Sequence, residues 1–196
     1  MQKPDATSFI EESIIYVSRI RQFDMKDWLV YFVWVGMMLG LLAVIAAFFS
    51  IGYVHGVEYP AYAWNIPLGT FIFTSAIAFD TIGHRTIYKE ALQKGEALVH
   101  HITIAAGISS VMALCLAYEN PSFMKIPALV LIFLSIVYSL VDEGMHWHRY
   151  FTQKSDRVEM WSHFFILVGH LIMITAWWTW FVDGYPGVKE TLAVLP

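Results

Sequence analysis

Two stretches of this chain place carboxylates and imidazoles where apolar helices would be expected. FDTIGHRTIY, residues 79–88, contains Asp80 and His84. VDEGMHWHRY, residues 141–150, contains Asp142, Glu143, His146 and His148. In each stretch an Asp precedes a His by four residues, so the two side chains stack on one helical face. Seventeen residues after His84 comes His101, and seventeen after His146 comes His163. The pattern D-x3-H-x16-H thus occurs twice, at an offset of 62 residues. The same offset matches Tyr88 with Tyr150 and Gly107 with Gly169, whereas His100 falls opposite Ser162. This register selects His101 over its neighbour His100 as the functional residue. One carboxylate and two imidazoles form a common ligand set for a divalent transition metal, non-heme iron included. With only Cys115 present, a cysteine-type zinc site is excluded. The six residues Asp80, His84, His101, Asp142, His146 and His163 are therefore predicted metal ligands. His170 lies two turns beyond His163, and Glu143 lies three residues before His146. Their repeat partners are Ile108 and Thr81, so they add an asymmetric third metal position or a proton relay.

These groups sit in an unusually apolar chain. Of its 196 residues, 58% are hydrophobic and 14% are charged, against about 25% charged in ordinary soluble domains. The composition predicts an all-α integral membrane protein. A net charge of −4 gives no reason to expect nucleic acid. Residues 1–26 are polar and lack the pattern of a secretory leader. Five segments reach the ~20 residues that cross a bilayer: Trp28–Tyr53, Ala63–Tyr88, Ala97–Tyr118, Ile126–Tyr150 and Val158–Val182. The last four are predicted to form two pseudo-symmetric hairpins, repeat 1 over about 63–118 and repeat 2 over about 126–182. In each hairpin the Asp-His pair would meet the His of the returning helix, making a four-helix metal-binding bundle. Residues 1–27 precede this transmembrane domain (28–196). There Ser8-Phe9-Ile10-Glu11 reads as a capping box, opening a short amphipathic helix with Phe9, Ile10, Ile14, Val17 and Ile20 on one face.

Basic residues predict the orientation. Lys3, Arg19, Arg21, Lys26, Arg85, Lys89, Lys94, Arg149, Lys154 and Arg157 fall at one end, and only Lys125 and Lys189 at the other. The N-terminus is then cytoplasmic and the C-terminus outside, in an inner or plasma membrane. Glu159, four residues before His163, would orient that imidazole or serve as N-terminal helix charge.

The twice-repeated carboxylate, His and returning His resemble the integral-membrane C subunit of the copper membrane monooxygenases, the particulate methane and ammonia monooxygenases. Asp142-Glu143-Gly144-Met145-His146 is similar to the Asn-Glu-x-x-His run of the ammonia-oxidising members. Asp142 stands where that family has Asn, and the x16 gap is longer. The resemblance implies a copper or iron site in the membrane and oxidation of a small apolar substrate.

Together these features predict a membrane enzyme with two or three transition metal ions, copper or iron before zinc. Its chemistry would be redox or oxygen-activating, on a small or lipid-like apolar substrate. A metal transporter or sensor, a b-type haem protein and a metal-binding accessory subunit of a larger membrane complex are the rival readings. Transport needs a polar path across the bilayer, and LIMITAWWTWF (171–181) offers only threonines.

Overall fold

The computed structural model describes residues 8–87, 94–153 and 156–195. Tyr88, Lys3, Lys89 and Lys154 lie outside them. The described residues are helical, with no strand among them. A short helix α1 (Phe9–Ser18) precedes α2 (Met25–Val54), α3 (Asn65–Thr86), α4 (Lys94–Leu116), α5 (Pro121–Gln153) and α6 (Arg157–Val182), and α7 (Val188–Val194) follows. The five helices α2–α6 are each long and apolar enough to cross a membrane. The chain is an integral membrane protein.

Local sequence sets the helix starts. Ser8 and Glu11 form the predicted capping box of α1. Asp24 and Asp27 form another at the start of α2. Asp156 caps α6 by accepting from the Val158 amide at 3.0 Å. That cap fixes the register in which Glu159 and His163 follow. α5 starts at Pro121, five residues ahead of the predicted Ile126, because proline's fixed φ suits a first helical turn. It continues for 33 residues, roughly 50 Å at 1.5 Å per residue. The polar run 141–150 is therefore the far end of one unbroken helix.

Packing departs from the predicted hairpins. α3 packs mainly on α6, and α4 mainly on α5. The backbones of α3 and α4 do not approach closely among the described residues, whereas those of α5 and α6 do. The α3–α6 seam depends on two glycines. A Cβ on Gly69 would lie 2.8 Å from the Gly169 carbonyl oxygen, and a Cβ on Gly169 would lie 2.9 Å from the Gly69 oxygen. Small residues permit such approach where lipid gives apolar side chains no preference for one another. α2 packs on the outside of α3.

One end of the bundle is charged. α1 lies across it, holding Asp156 through Arg19 at 3.0 Å and Arg157 through Glu12 at 2.8 Å. Tyr16, fully buried, occupies the space that a Cβ on Gly83 would need. Its neighbours Ile10, Ile14 and Ile15 are exposed. Asp27, wholly buried, accepts from Arg85 Nε at 2.8 Å. The opposite end is closed by Trp177, Trp180, Phe181 and Tyr185, all buried. The Tyr185 hydroxyl donates to the Leu114 carbonyl, and burial raises its pKa above the ordinary tyrosine value.

Candidate metal centre

Asp80 and His84 reach inward from α3, Asp142 and His146 from α5, and His163 from α6. All five lie within about three turns of the charged ends of their helices, and there they meet. Asp80, Asp142, His146 and His163 are buried, and His84 is partly so. Two overlapping groups result: Asp80, His84 and His163, and Asp142, His146 and His163. Within each, one potential ligand atom per residue lies within 4.8 Å of the others.

His163 belongs to both groups because α6 lies between α3 and α5. Its Nε2 is 3.2 Å from Asp80 Oδ1, and its Nδ1 is 3.8 Å from Asp142 Oδ2. His84 Nε2 is 3.4 Å from Asp80 Oδ2, and His146 Nε2 is 3.9 Å from Asp142 Oδ1. The His146 ring lies against His163 with centroids 3.3 Å apart and planes at 23°. Despite these short separations, Asp80 Oδ1, Asp142 Oδ1 and His163 Nε2 are buried and make no well-aligned hydrogen bond. Buried polar atoms with poorly made hydrogen bonds are costly. A cation set among them removes that cost, so the donor set fits a metal.

The predicted His101 is not in this cluster. It is exposed on α4, one residue and about 100° away from the inward stripe His100, Thr103, Ile104, Gly107, Ile108 and Val111. His100 takes the inward place. Its Nδ1 is 3.4 Å from Asp142 Oδ2, and its ring centroid is 5.2 Å from that of His84. The Asp of each hairpin thus meets a His on the returning helix of the other hairpin: Asp80 with His163 and Asp142 with His100. Copying the register from one repeat to the other points to the outward-facing neighbour. The stripe of small and polar residues Thr103 and Gly107, three and seven places beyond His100, was the signal that identified the inward face.

Glu143 and His170 stand apart from both groups. Glu143 Oε1 accepts from the Trp147 indole at 2.6 Å, and its Oε2 is buried without a hydrogen-bond partner. His170 Nε2 is 3.0 Å from Ser135 Oγ. The Ser135 proton goes to the Ile132 carbonyl at 2.9 Å. His170 Nε2 is then the donor, and Nδ1 is the ring's basic nitrogen. His148 is exposed. Glu159 serves His146 instead of His163. It is 2% exposed, and its Oε1 is 3.5 Å from His146 Nδ1. The Arg149 guanidinium is closer to the same Nδ1, at 3.1 Å, and only donates, so that nitrogen accepts from it.

The cluster forms one wall of a cavity of about 290 Å³. Asp80, His100, Asp142 and His163 line one end of it. Apolar side chains of α2, α3, α4 and α6 line most of the remainder, with His170 and Ser139.

Compared with protein-family models, curated proteins and solved structures, the chain matches none.

Proposed function

We propose that this protein is a membrane-embedded oxidoreductase with a dinuclear centre of copper or iron, acting on a small or lipid-like apolar substrate. The observation that carries the reading is the pair of two-His, one-Asp sets joined at His163, with buried carboxylate and imidazole atoms that make no well-aligned hydrogen bond. Asp80, His84 and His163 would hold one ion. Asp142, His146 and His163 would hold the other, with His100 beside it. Such sets leave coordination positions open, and a copper or iron ion bound there supplies redox chemistry with dioxygen. The protein's own groups set the conditions for it. Asp80 and Asp142 offset positive charge in a site shielded from water. Glu159 and Arg149 flank His146 and fix the place of its ring. Apolar cavity walls exclude water from the reacting face.

The resemblance to the C subunit of copper membrane monooxygenases rests, on this reading, on Asp80, His84, Asp142, His146 and His163, and no longer on His101. The charged end, with Arg19, Arg21, Arg85, Arg149 and Arg157, would face the cytoplasm of an inner or plasma membrane. A second reading, a metal-binding subunit of a larger complex, uses the same site without turnover by this chain. Transport is disfavoured by the buried plug of Trp177, Trp180 and Phe181 beyond His170.

The test is the metal content of Asp142→Ala and His146→Ala. Each is expected to retain one equivalent per chain where the unaltered protein holds two. Unchanged content in both variants would end this reading.

A further inference from the structure

The cavity beside the cluster is not enclosed by the bundle. α2 packs on α3, and α4 packs on α5, but the backbones of α2 and α4 do not approach closely among the described residues. The cavity lies in the gap between them. Trp34, Met37 and Leu41 of α2 form one lip, and Ile104, Ile108 and Met112 of α4 form the other. Met37 and Met112, 46% and 59% exposed, stand at the rim on the surface that faces lipid. Methionine is flexible and fits irregular apolar guests.

Its dimensions match a hydrocarbon chain. From His163 at the polar end to Met173 at the apolar end are ten residues of α6, about 15 Å at 1.5 Å per residue. That is half of a hydrocarbon core of ~30 Å, the depth of one leaflet. The cluster sits toward the charged, interfacial end, and the apolar end points to the middle of the membrane. An amphiphile already aligned in that leaflet needs no reorientation to enter.

Gly107 explains why the space is open. A Cβ there would meet nothing within 4 Å. At the matching position of α6, a Cβ on Gly169 would strike α3 backbone. The same residue type closes one seam and leaves the other side as a cavity.

We propose that the cavity receives one unbranched hydrocarbon chain laterally from the bilayer through the α2–α4 gap, with its polar end at Asp80, Asp142 and His163 and its tail toward Met173. This names the substrate class for the reaction centre proposed above. It rests on that reading for the chemistry but not for the binding.

The experiment uses the full chain in lipid nanodiscs and two twelve-carbon alcohols carrying a photoactivatable diazirine, one beside the hydroxyl and one at the chain end. Labelled positions are read by peptide mass spectrometry, with metal per chain measured on the same samples. The hydroxyl-side probe is expected to label near Ile77 and Thr103, and the end probe near Met112 and Met173. Excess unlabelled dodecanol should suppress both. Gly107→Phe should lower both at least about tenfold, a loss of about 1.4 kcal/mol in binding, with metal content unchanged. Gly36→Phe, on the exposed side of α2 with open space around its Cβ, should leave both unchanged. Labelling that dodecanol does not suppress, or that both phenylalanine variants lower equally, would mean simple contact with lipid and would overturn the proposal. So would disulfide formation between chains carrying Met37→Cys and Met112→Cys, since a second copy would then fill the gap. Saturable, oriented labelling of a protein without metal would uphold the chain site and remove the redox reading alone.

Discussion

Replacing His163 by alanine is expected to remove both metal ions at once. It is the only residue of the cluster shared by the two ligand sets, and its two ring nitrogens face different carboxylates, Asp80 through Nε2 and Asp142 through Nδ1. Without it, each position retains one carboxylate and one imidazole from its own helix, too few to hold a labile divalent ion through purification. Asp80→Asn removes a ligand from one set only, so it should leave one equivalent. His101→Ala changes an exposed residue and should leave two. Elemental analysis of the three variants beside the unaltered protein gives the expected series of none, one, two and two. Retention of one equivalent by His163→Ala would show that the two positions are independent. Because alanine leaves two buried carboxylates facing each other, His163→Gln provides a second variant of similar size, with the same metal loss expected.

Gly69→Ala should lower stability strongly for the addition of a single methyl group. The new Cβ would lie 2.8 Å from the Gly169 oxygen and 2.9 Å from Met173 Cα. Those atoms are backbone, so no rotamer change relieves the clash, and α3 and α6 must separate. Overpacking of a well-filled interior costs about 1–3 kcal/mol, occasionally more. For a chain of this length that corresponds to a fall of roughly 2–12 °C in apparent melting temperature. Separation also moves Asp80 away from His163, so metal should be lost with stability. Gly107→Ala is the matched control. Its Cβ enters open space, and alanine favours a helix over glycine by about 1 kcal/mol, so stability should hold or rise. Melting curves in detergent, with metal content measured alongside, separate these outcomes.

The sequence and the structure agree most closely where single helices decide the matter. The five spans, the Ser8–Glu11 cap and the Asp-His pairs at four-residue spacing depend only on length, hydropathy and the 3.6-residue period. Which helix lies beside which is a different question. In lipid, apolar side chains give no helix a preferred neighbour, and the pairing of α3 with α6 depends on a close approach at Gly69 and Gly169. Nothing in the spacing of those two glycines, a hundred residues apart, linked them. For that reason Asp80 was matched with a histidine of its own hairpin, when it meets His163 of the other.

His100 and His101 show the second limit. A repeat offset ranks positions by copying, but burial is set by the face of the individual helix. On α4 that face runs through His100, Thr103 and Gly107, and it leaves His101 outside. Glu159 was legible as a residue able to orient an imidazole, yet its partner is His146 on α5. The pair Asp27 and Arg85, from α2 and α3, had no sequence signal because its members lie 58 residues apart and belong to no repeat.

The redox reading of this protein depends on the cluster holding metal. The most direct measurement is elemental mass spectrometry on untagged protein, purified without chelator and read as metal per chain. Two equivalents of copper or iron are expected. No bound metal, both as purified and after reconstitution with copper and with iron, would contradict the account and leave Asp80, His84, Asp142, His146 and His163 as a polar network inside the membrane.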